Sequence, residues 1–136
     1  MTRSLTATSH RIVARIACAT LCLSLVGCVQ KAYDRTVLFV VDVSGVPNVT
    51  TVGVRGENKP LSWREDTPMT AVPDSAGLYT VAVTTHTGGL ATEVKFVVNG
   101  TFEFSDSQDD SNRKVSLPRT TTGGDTIRFR AVYGKR

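Results

Sequence analysis

The chain has 136 residues, a formal net charge of +4 and a pI near 9.2, a length that accommodates one domain and a short targeting segment. Three of the 16 basic side chains lie before residue 28, in a segment without acids. This leaves 13 basic against 12 acidic side chains, and a net charge of +1, in the rest of the chain. A nearly neutral domain has no general attraction for phosphate, so the composition argues against a nucleic-acid partner.

Residues 1–27 have the pattern of a bacterial signal peptide. Residues 1–15 are polar and basic, whereas residues 16–27 are apolar. A helix of twelve residues is too short to span about 30 Å of hydrocarbon, but this length suits the apolar region of a signal peptide behind a positive N-terminal region. We therefore predict a signal-peptide helix that is absent from the mature protein.

The end of this segment carries a lipidation motif. Leu25-Val26-Gly27-Cys28 resembles the lipobox of bacterial lipoproteins, which implies cleavage before Cys28, a diacylglyceryl thioether on Cys28 and acylation of the new N-terminus, commonly with palmitate. Two or more acyl chains make a stable membrane anchor. The alternative is an ordinary signal peptide with a chance cysteine.

The residues around Cys28 add two expectations. Cys18 and Cys22 lie in the leader, so Cys28 is the one cysteine of the mature chain and no internal disulfide is expected. Val29, rather than an aspartate, follows Cys28, which favours the outer over the inner membrane in a cell that has both. Residues 28–35 are then a lipidated anchor and a short linker, which keeps the domain close to the bilayer.

Beyond residue 35, apolar residues recur at every second position, as they do in half-buried strands. Glycine, proline, asparagine and aspartate separate these segments, and no segment has a sustained helical period. Short strands with turn residues between them predict an all-β, immunoglobulin-like β-sandwich over residues 36–136. The predicted strands are 36–44, 50–55, 78–84, 92–98 and 126–133.

One hairpin can be predicted in detail. Asn99-Gly100 lies between two strand segments and favours a type I′ turn, because both residues tolerate positive φ. A two-residue loop pairs residue 98 with 101, 97 with 102 and 95 with 104. Alternation then places Lys95, Val97, Phe102 and Phe104 on one face, opposite the core set. Glu103 points with the core set and therefore needs a partner or a position near the strand end.

Several motifs in this order resemble one family. The segments that carry the resemblance are Thr36-Val37-Leu38-Phe39-Val40-Val41-Asp42-Val43, Val52-Gly53-Val54-Arg55-Gly56, Leu61-Ser62-Trp63, Pro68-Met69, Gly77-Leu78-Tyr79-Thr80-Val81, Val94-Lys95-Phe96-Val97-Val98-Asn99-Gly100 and Asn112-Arg113. Their order is similar to that of the starch- and glycogen-binding modules, both the glucoamylase type and the type in the β-subunit of AMP-activated kinase. The resemblance covers residues 36–118, and its most specific part is the Lys-Phe-Val-Val-Asn-Gly hairpin with a later Asn-Arg.

The resemblance implies a carbohydrate site. In that family two aromatic side chains stack on glucose rings, while a lysine and an asparagine hydrogen-bond the hydroxyls. The matching positions are Trp63, Lys95, Phe102 and Asn112, with Phe102 in place of a tryptophan. Each has a structural alternative: Trp63 as a packing anchor, Phe102 packed under a loop, Lys95 as a solvated strand lysine and Asn112 as a turn former.

The sequence gives little support for a catalytic site or a metal site. The one histidine after the leader, His86, is expected in an exposed turn, and the sequence has no phosphate-binding glycine loop and no His/Cys set with metal-ligand spacing. Asp106, Asp109 and Asp110 could suit calcium, but they lack the EF-hand pattern, which favours a solvated loop. We expect no enzyme activity, no cofactor and no metal.

Two functions remain open. The first is a non-catalytic, membrane-anchored lipoprotein of the cell envelope that binds an α-glucan or related glycan. The second is an envelope lipoprotein with a structural or protein-interaction role, which kept the fold but not sugar binding. A solvent-exposed Trp63 favours the first function, and a fully buried Trp63 favours the second.

Overall fold

The computed structural model describes residues 31–105, 112–119 and 126–136. In these ranges the regular elements are nine β-strands, and no helix there is long and apolar enough to cross a membrane. Residues 31–136 make up one compact unit. The predicted signal-peptide helix, the lipidation site at Cys28 and the loop aspartates 106, 109 and 110 lie outside the described residues.

The nine strands include all five segments predicted from alternation, with shifted ends. In chain order they are β1 (Tyr33–Asp42), β2 (Val52–Gly56), β3 (Thr67–Pro68), β4 (Thr70–Ala71), β5 (Leu78–Thr87), β6 (Ala91–Val98), β7 (Thr101–Phe102), β8 (Arg113–Ser116) and β9 (Thr126–Val132). Strands β3, β4 and β8 were not predicted, because two to four residues are too few to display a period of two.

The strands form two sheets. In the first sheet, ordered β4-β5-β1-β9, strand β1 lies antiparallel to β5 and parallel to β9. In the second sheet, β2 lies between β3 and β6, and β7 and β8 pair with β6. The predicted all-β class is confirmed.

The inward faces of both sheets contribute to one hydrophobic core. Phe39 of β1 and Phe96 of β6 lie within it and the partly buried Phe129 of β9 packs against it, with the Phe39 ring 6.4 Å from that of Phe96 and 6.1 Å from that of Phe129, both edge to face. This is the geometry that the aromatic quadrupole favours. The predicted inward residues of β1, β2 and β6 are buried: Val37, Phe39, Val41, Val43, Val52, Val54, Val94, Phe96 and Val98.

The predicted type I′ turn is consistent with the backbone, since Asn99 and Gly100 both have positive φ, at 51° and 78°. The register of Val97 with Phe102 is also confirmed. The predicted pairing of residue 95 with Phe104 is wrong, because β7 ends at Phe102 and Phe104 takes a left-handed backbone with φ of 64°. The Phe104 ring packs instead against the guanidinium of Arg113, 5.0 Å away.

Glu103 has the partner that the sequence required. Its buried carboxylate accepts two hydrogen bonds from Arg113, both at 2.8 Å. Strand β7 pairs with residues 97 and 98 of β6, and β8 pairs with residues 91–94. The Phe96 amide lies between these two ladders and donates to Glu103 Oε1 at 3.0 Å. The Glu103–Arg113 pair therefore bridges a gap along β6.

Candidate functional site

The predicted site residues fall in two neighbouring places on the domain. Lys95, Phe102 and Asn112 belong to the outward face of the second sheet. We call this face, which also carries Arg55 and Glu93, the Lys95 face. Trp63 lies in the segment between β2 and β3 and lines a separate groove, called here the Trp63 groove.

The Lys95 face is built by alternation along β6. Since Val94 and Phe96 point into the core, Lys95 points outward. Arg55 of β2 is its cross-strand partner. Phe102 lies opposite Val97, which is two residues after Lys95 in β6 and therefore on the same face of the sheet. The sequence-derived prediction that Lys95 and Phe102 share a face is confirmed by this register.

Two cationic side chains lie over the ring of Phe102. The Arg55 guanidinium lies 5.0 Å and the Lys95 ammonium 5.9 Å from the ring centroid, both within the range of cation–π attraction. Lys95 is only 6% exposed, and Phe102 is half-buried. The ring thus contacts basic side chains of its own sheet, and the burial of Lys95 does not fit the alternative of a solvated strand lysine.

Asn112 is held beside the same face. Its side-chain amide donates to Glu93 Oε2 at 2.8 Å. Glu93 points outward, two residues before Lys95, and the next residue after Asn112 pairs with Val94. Asn112, Glu93 and Lys95 therefore occupy adjacent positions. Their amide, carboxylate and ammonium groups form a polar strip next to Phe102.

Arg55 connects the Lys95 face to the Trp63 segment. It forms an ion pair with Asp66 and donates to the backbone oxygen of Trp63 at 3.1 Å. Asp66 lies directly over Gly53, where a Cβ would stand 2.9 Å from the Asp66 Cβ. The absence of a side chain at residue 53 therefore lets the segment approach β2 closely.

The Trp63 groove has a volume of about 760 Å³. Trp63 is 38% exposed, while its neighbour Leu61 is buried in the core and anchors the segment. The groove is lined by Gly56, Glu57, Lys59, Pro60, Leu61, Ser62, Trp63, Arg64, Thr84 and His86. An indole therefore stands among carboxylate, ammonium, hydroxyl and imidazole groups.

His86 differs from its prediction. It lies in β5 rather than in a turn, because β5 continues to Thr87, three residues beyond the predicted end. Its Nδ1 is 2.8 Å from Asp34 Oδ1 on the adjacent strand β1, and both side chains are largely exposed. The exposure predicted for His86 is confirmed.

The structure thus brings Lys95, Phe102 and Asn112 together, and the hydrogen bond of Arg55 to the Trp63 carbonyl joins Trp63 to this face. Sequence reasoning missed Arg55 and Asp66. Arg55 follows the inward Val54, so alternation marks it as outward. Arg55 faces Lys95 because β2 pairs with β6, and these two residues are 40 positions apart in the chain.

Chemically, both places suit hydrogen bonding and stacking. Aromatic faces beside amide, carboxylate and ammonium groups match the alternation of apolar faces and hydroxyls on a sugar ring. Among the described residues, no three His, Cys, Asp or Glu side chains are grouped so that they could hold a metal ion. The sequence matches no protein-family model and no curated protein.

Proposed function

We propose that the mature protein is a non-catalytic carbohydrate-binding lipoprotein of the bacterial cell envelope, anchored through a lipid on Cys28 and directed at an α-glucan or related glycan. Its domain is proposed to be an immunoglobulin-like β-sandwich. The fold proposal is supported by two sheets that share one core and by an outward face that carries the predicted polar residues. The anchor proposal is supported by the basic and apolar leader of residues 1–27 and by the Leu-Val-Gly-Cys motif at its end.

The observation that carries the sugar proposal is the setting of Trp63. A tryptophan that served only to pack the core would be buried, whereas Trp63 is 38% exposed in an open groove. The ring offers a rigid apolar surface at little entropic cost. Glu57, Lys59 and His86 line the same groove and offer the donors and acceptors that fix a hydroxylated ring.

A second function is favoured by a different observation, the burial of Lys95. With 6% exposure, and with Arg55 beside Phe102, the Lys95 face resembles an internal cation–aromatic cluster more than an open sugar platform. On this proposal the protein is an envelope structural or protein-interaction lipoprotein that kept the fold without sugar binding. A partner protein that co-purifies with the wild type and is lost on Phe102→Ala would support it.

The sugar proposal is tested by titration of residues 31–136 with maltoheptaose and with glycogen, followed by the fluorescence of Trp63, the one tryptophan of the chain. We expect a saturable change, because a sugar stacked on the indole displaces water from its face. Circular dichroism of the same samples checks that the protein is folded.

A matched pair of variants assigns the site. Trp63→Ala should reduce retention in affinity electrophoresis on glycogen gels, whereas Tyr33→Ala should not. Tyr33 is a suitable control because it is an equally exposed aromatic, at 37%, that does not line the groove. Equal mobility of wild type and Trp63→Ala on every glycan tried would refute the sugar proposal in favour of the second function.

A further inference from the structure

The end of the domain at which β1 begins is the end that the chain joins to the proposed anchor. Strand β1 starts at Tyr33, five residues after Cys28. Five extended residues span at most about 18 Å. If Cys28 carries a lipid, as proposed above, this end of the domain cannot move further than that distance from the lipid headgroups. The inference below rests on that part of the proposed function.

Exposed large hydrophobic side chains gather toward this end. Tyr33 is the first residue of β1 and pairs with Thr87 at the end of β5. Leu90, which is 53% exposed, lies in the turn that follows β5. The Trp63 groove reaches Thr84 and His86 in the last part of β5. The remaining exposed large hydrophobic residue of the described chain, Val132, is 40% exposed and pairs with Asp42 at the opposite end of β1.

Basic side chains accompany these residues. The ammonium of the exposed Lys31 lies 5.2 Å from the Tyr33 ring centroid, and the guanidinium of the buried Arg35 packs on the same ring at 5.0 Å. The backbone oxygen of Leu90 accepts from the Leu117 amide at 2.7 Å. This contact places the exposed Arg119, two residues after Leu117, on the same side of the domain.

The acidic side chain that follows Tyr33 contacts a histidine. Asp34, next to Tyr33 in β1, lies 2.8 Å from the imidazole of His86. An exposed aromatic residue, an exposed leucine and exposed basic side chains are the composition found at membrane interfaces. Anionic headgroups attract lysine and arginine side chains near the bilayer surface. The basic side chains and the exposed hydrophobic residues therefore both favour a membrane surface that contains anionic lipids.

We propose that the Tyr33–Leu90 end of the domain docks on the bilayer surface, with Tyr33 and Leu90 at the level of the lipid headgroups and Lys31 and Arg119 beside anionic phosphates. The lipid then does more than tether the domain, because it also orients the domain. The Val132 end points away from the bilayer, and the Trp63 groove lies close to the membrane surface.

The test compares two single-tryptophan variants of residues 28–136, both in a Trp63→Phe background. One carries Leu90→Trp and the other Val132→Trp, two exposed positions at opposite ends of the domain. The thiol of Cys28 is coupled to a maleimide lipid in vesicles of phosphatidylcholine and phosphatidylglycerol with brominated acyl chains. Mass spectrometry verifies the coupling, and circular dichroism verifies folding.

We expect the tryptophan at position 90 to shift to the blue and to be quenched several-fold more by the brominated lipids than the tryptophan at position 132. Tyr33→Ser in the Leu90→Trp variant should reduce this quenching, and vesicles of phosphatidylcholine alone should reduce it as well. Equal quenching at positions 90 and 132 would overturn the proposal.

A failure of this proposal is distinguishable from a failure of the anchor. The coupling to the maleimide lipid is chemical and does not depend on acylation in the cell. If position 90 is not quenched although the protein is tethered, the docking surface is refuted and the anchor is unaffected. The anchor is tested separately by acyl labelling of Cys28→Ser in cells.

Discussion

At the scale of single residues, Glu103 is the side chain whose burial requires the most compensation by neighbouring groups. It is the one acidic side chain buried among the described residues, with 1% exposure. Burial of a carboxylate requires both an opposite charge and hydrogen bonds. Arg113 supplies the charge and two hydrogen bonds, and the Phe96 amide supplies a third. Arg113 also donates to the backbone oxygens of Val132 and Lys135, at 2.8 and 2.7 Å, so it ties β8 to the end of β9 and to the segment that follows.

We predict that Glu103→Gln destabilises the domain by about 3 kcal/mol, because the amide keeps the shape but leaves the partly buried guanidinium of Arg113 without its counter-charge. Urea unfolding, followed by circular dichroism, measures the change. Asp66→Asn, in the more exposed pair with Arg55, is the matched control and should cost about 1 kcal/mol or less. Similar losses in the two variants would contradict the assigned role of Glu103.

At the scale of elements, the β6–β7 hairpin also organises the loop before β2. The Asn99 carboxamide oxygen accepts from the Thr50 amide at 2.8 Å, from the Thr50 hydroxyl at 2.9 Å and from the Thr51 amide at 3.1 Å. Its amide nitrogen donates to the Asn48 carbonyl at 2.9 Å. Asn99 therefore provides a turn conformation and four hydrogen bonds to another element, and only the first of these roles is visible in the sequence.

Two substitutions separate these roles. Asn99→Gly keeps the positive φ and removes the side-chain hydrogen bonds, so it should lower the free energy of unfolding by about 1–3 kcal/mol. Asn99→Ala also carries the cost of a left-handed backbone, about 1 kcal/mol more. Thermal and urea unfolding of both variants give the order. A fully stable Asn99→Gly would mean that the loop contacts contribute nothing.

The elements also show where pattern analysis succeeds and fails. Strands β1, β2, β5, β6 and β9 were predictable because one face of each is buried in the core, and burial imposes alternation. Strand β8 has a single fully buried valine, Val115, between polar residues, so its pattern is too short to recognise. The early end of β7 was not predictable either, since the interaction of Glu103 with Arg113 joins residues from separate elements.

At the scale of the whole molecule, the proposed attachment makes a prediction of its own. Cys28→Ser should abolish acyl labelling in cells, because serine lacks the thiol that accepts the diacylglyceryl group, and it should leave uncleaved precursor or soluble product. Metabolic labelling with a fatty-acid analogue and fractionation of the envelope measure both effects. A Cys28→Ser protein that still incorporates fatty acid would rule out the lipobox interpretation.

The sequence by itself determined the all-β class, the inward faces of the long strands, the Asn99-Gly100 turn and the shared face of Lys95 and Phe102. These follow from short-range rules of alternation and turn chemistry. Only the tertiary structure decided that Arg55 and Lys95 both lie beside Phe102, that Trp63 lines its own groove, and that exposed hydrophobic residues gather near the start of β1. Each depends on contacts between segments far apart in the chain, which local periodicity does not encode.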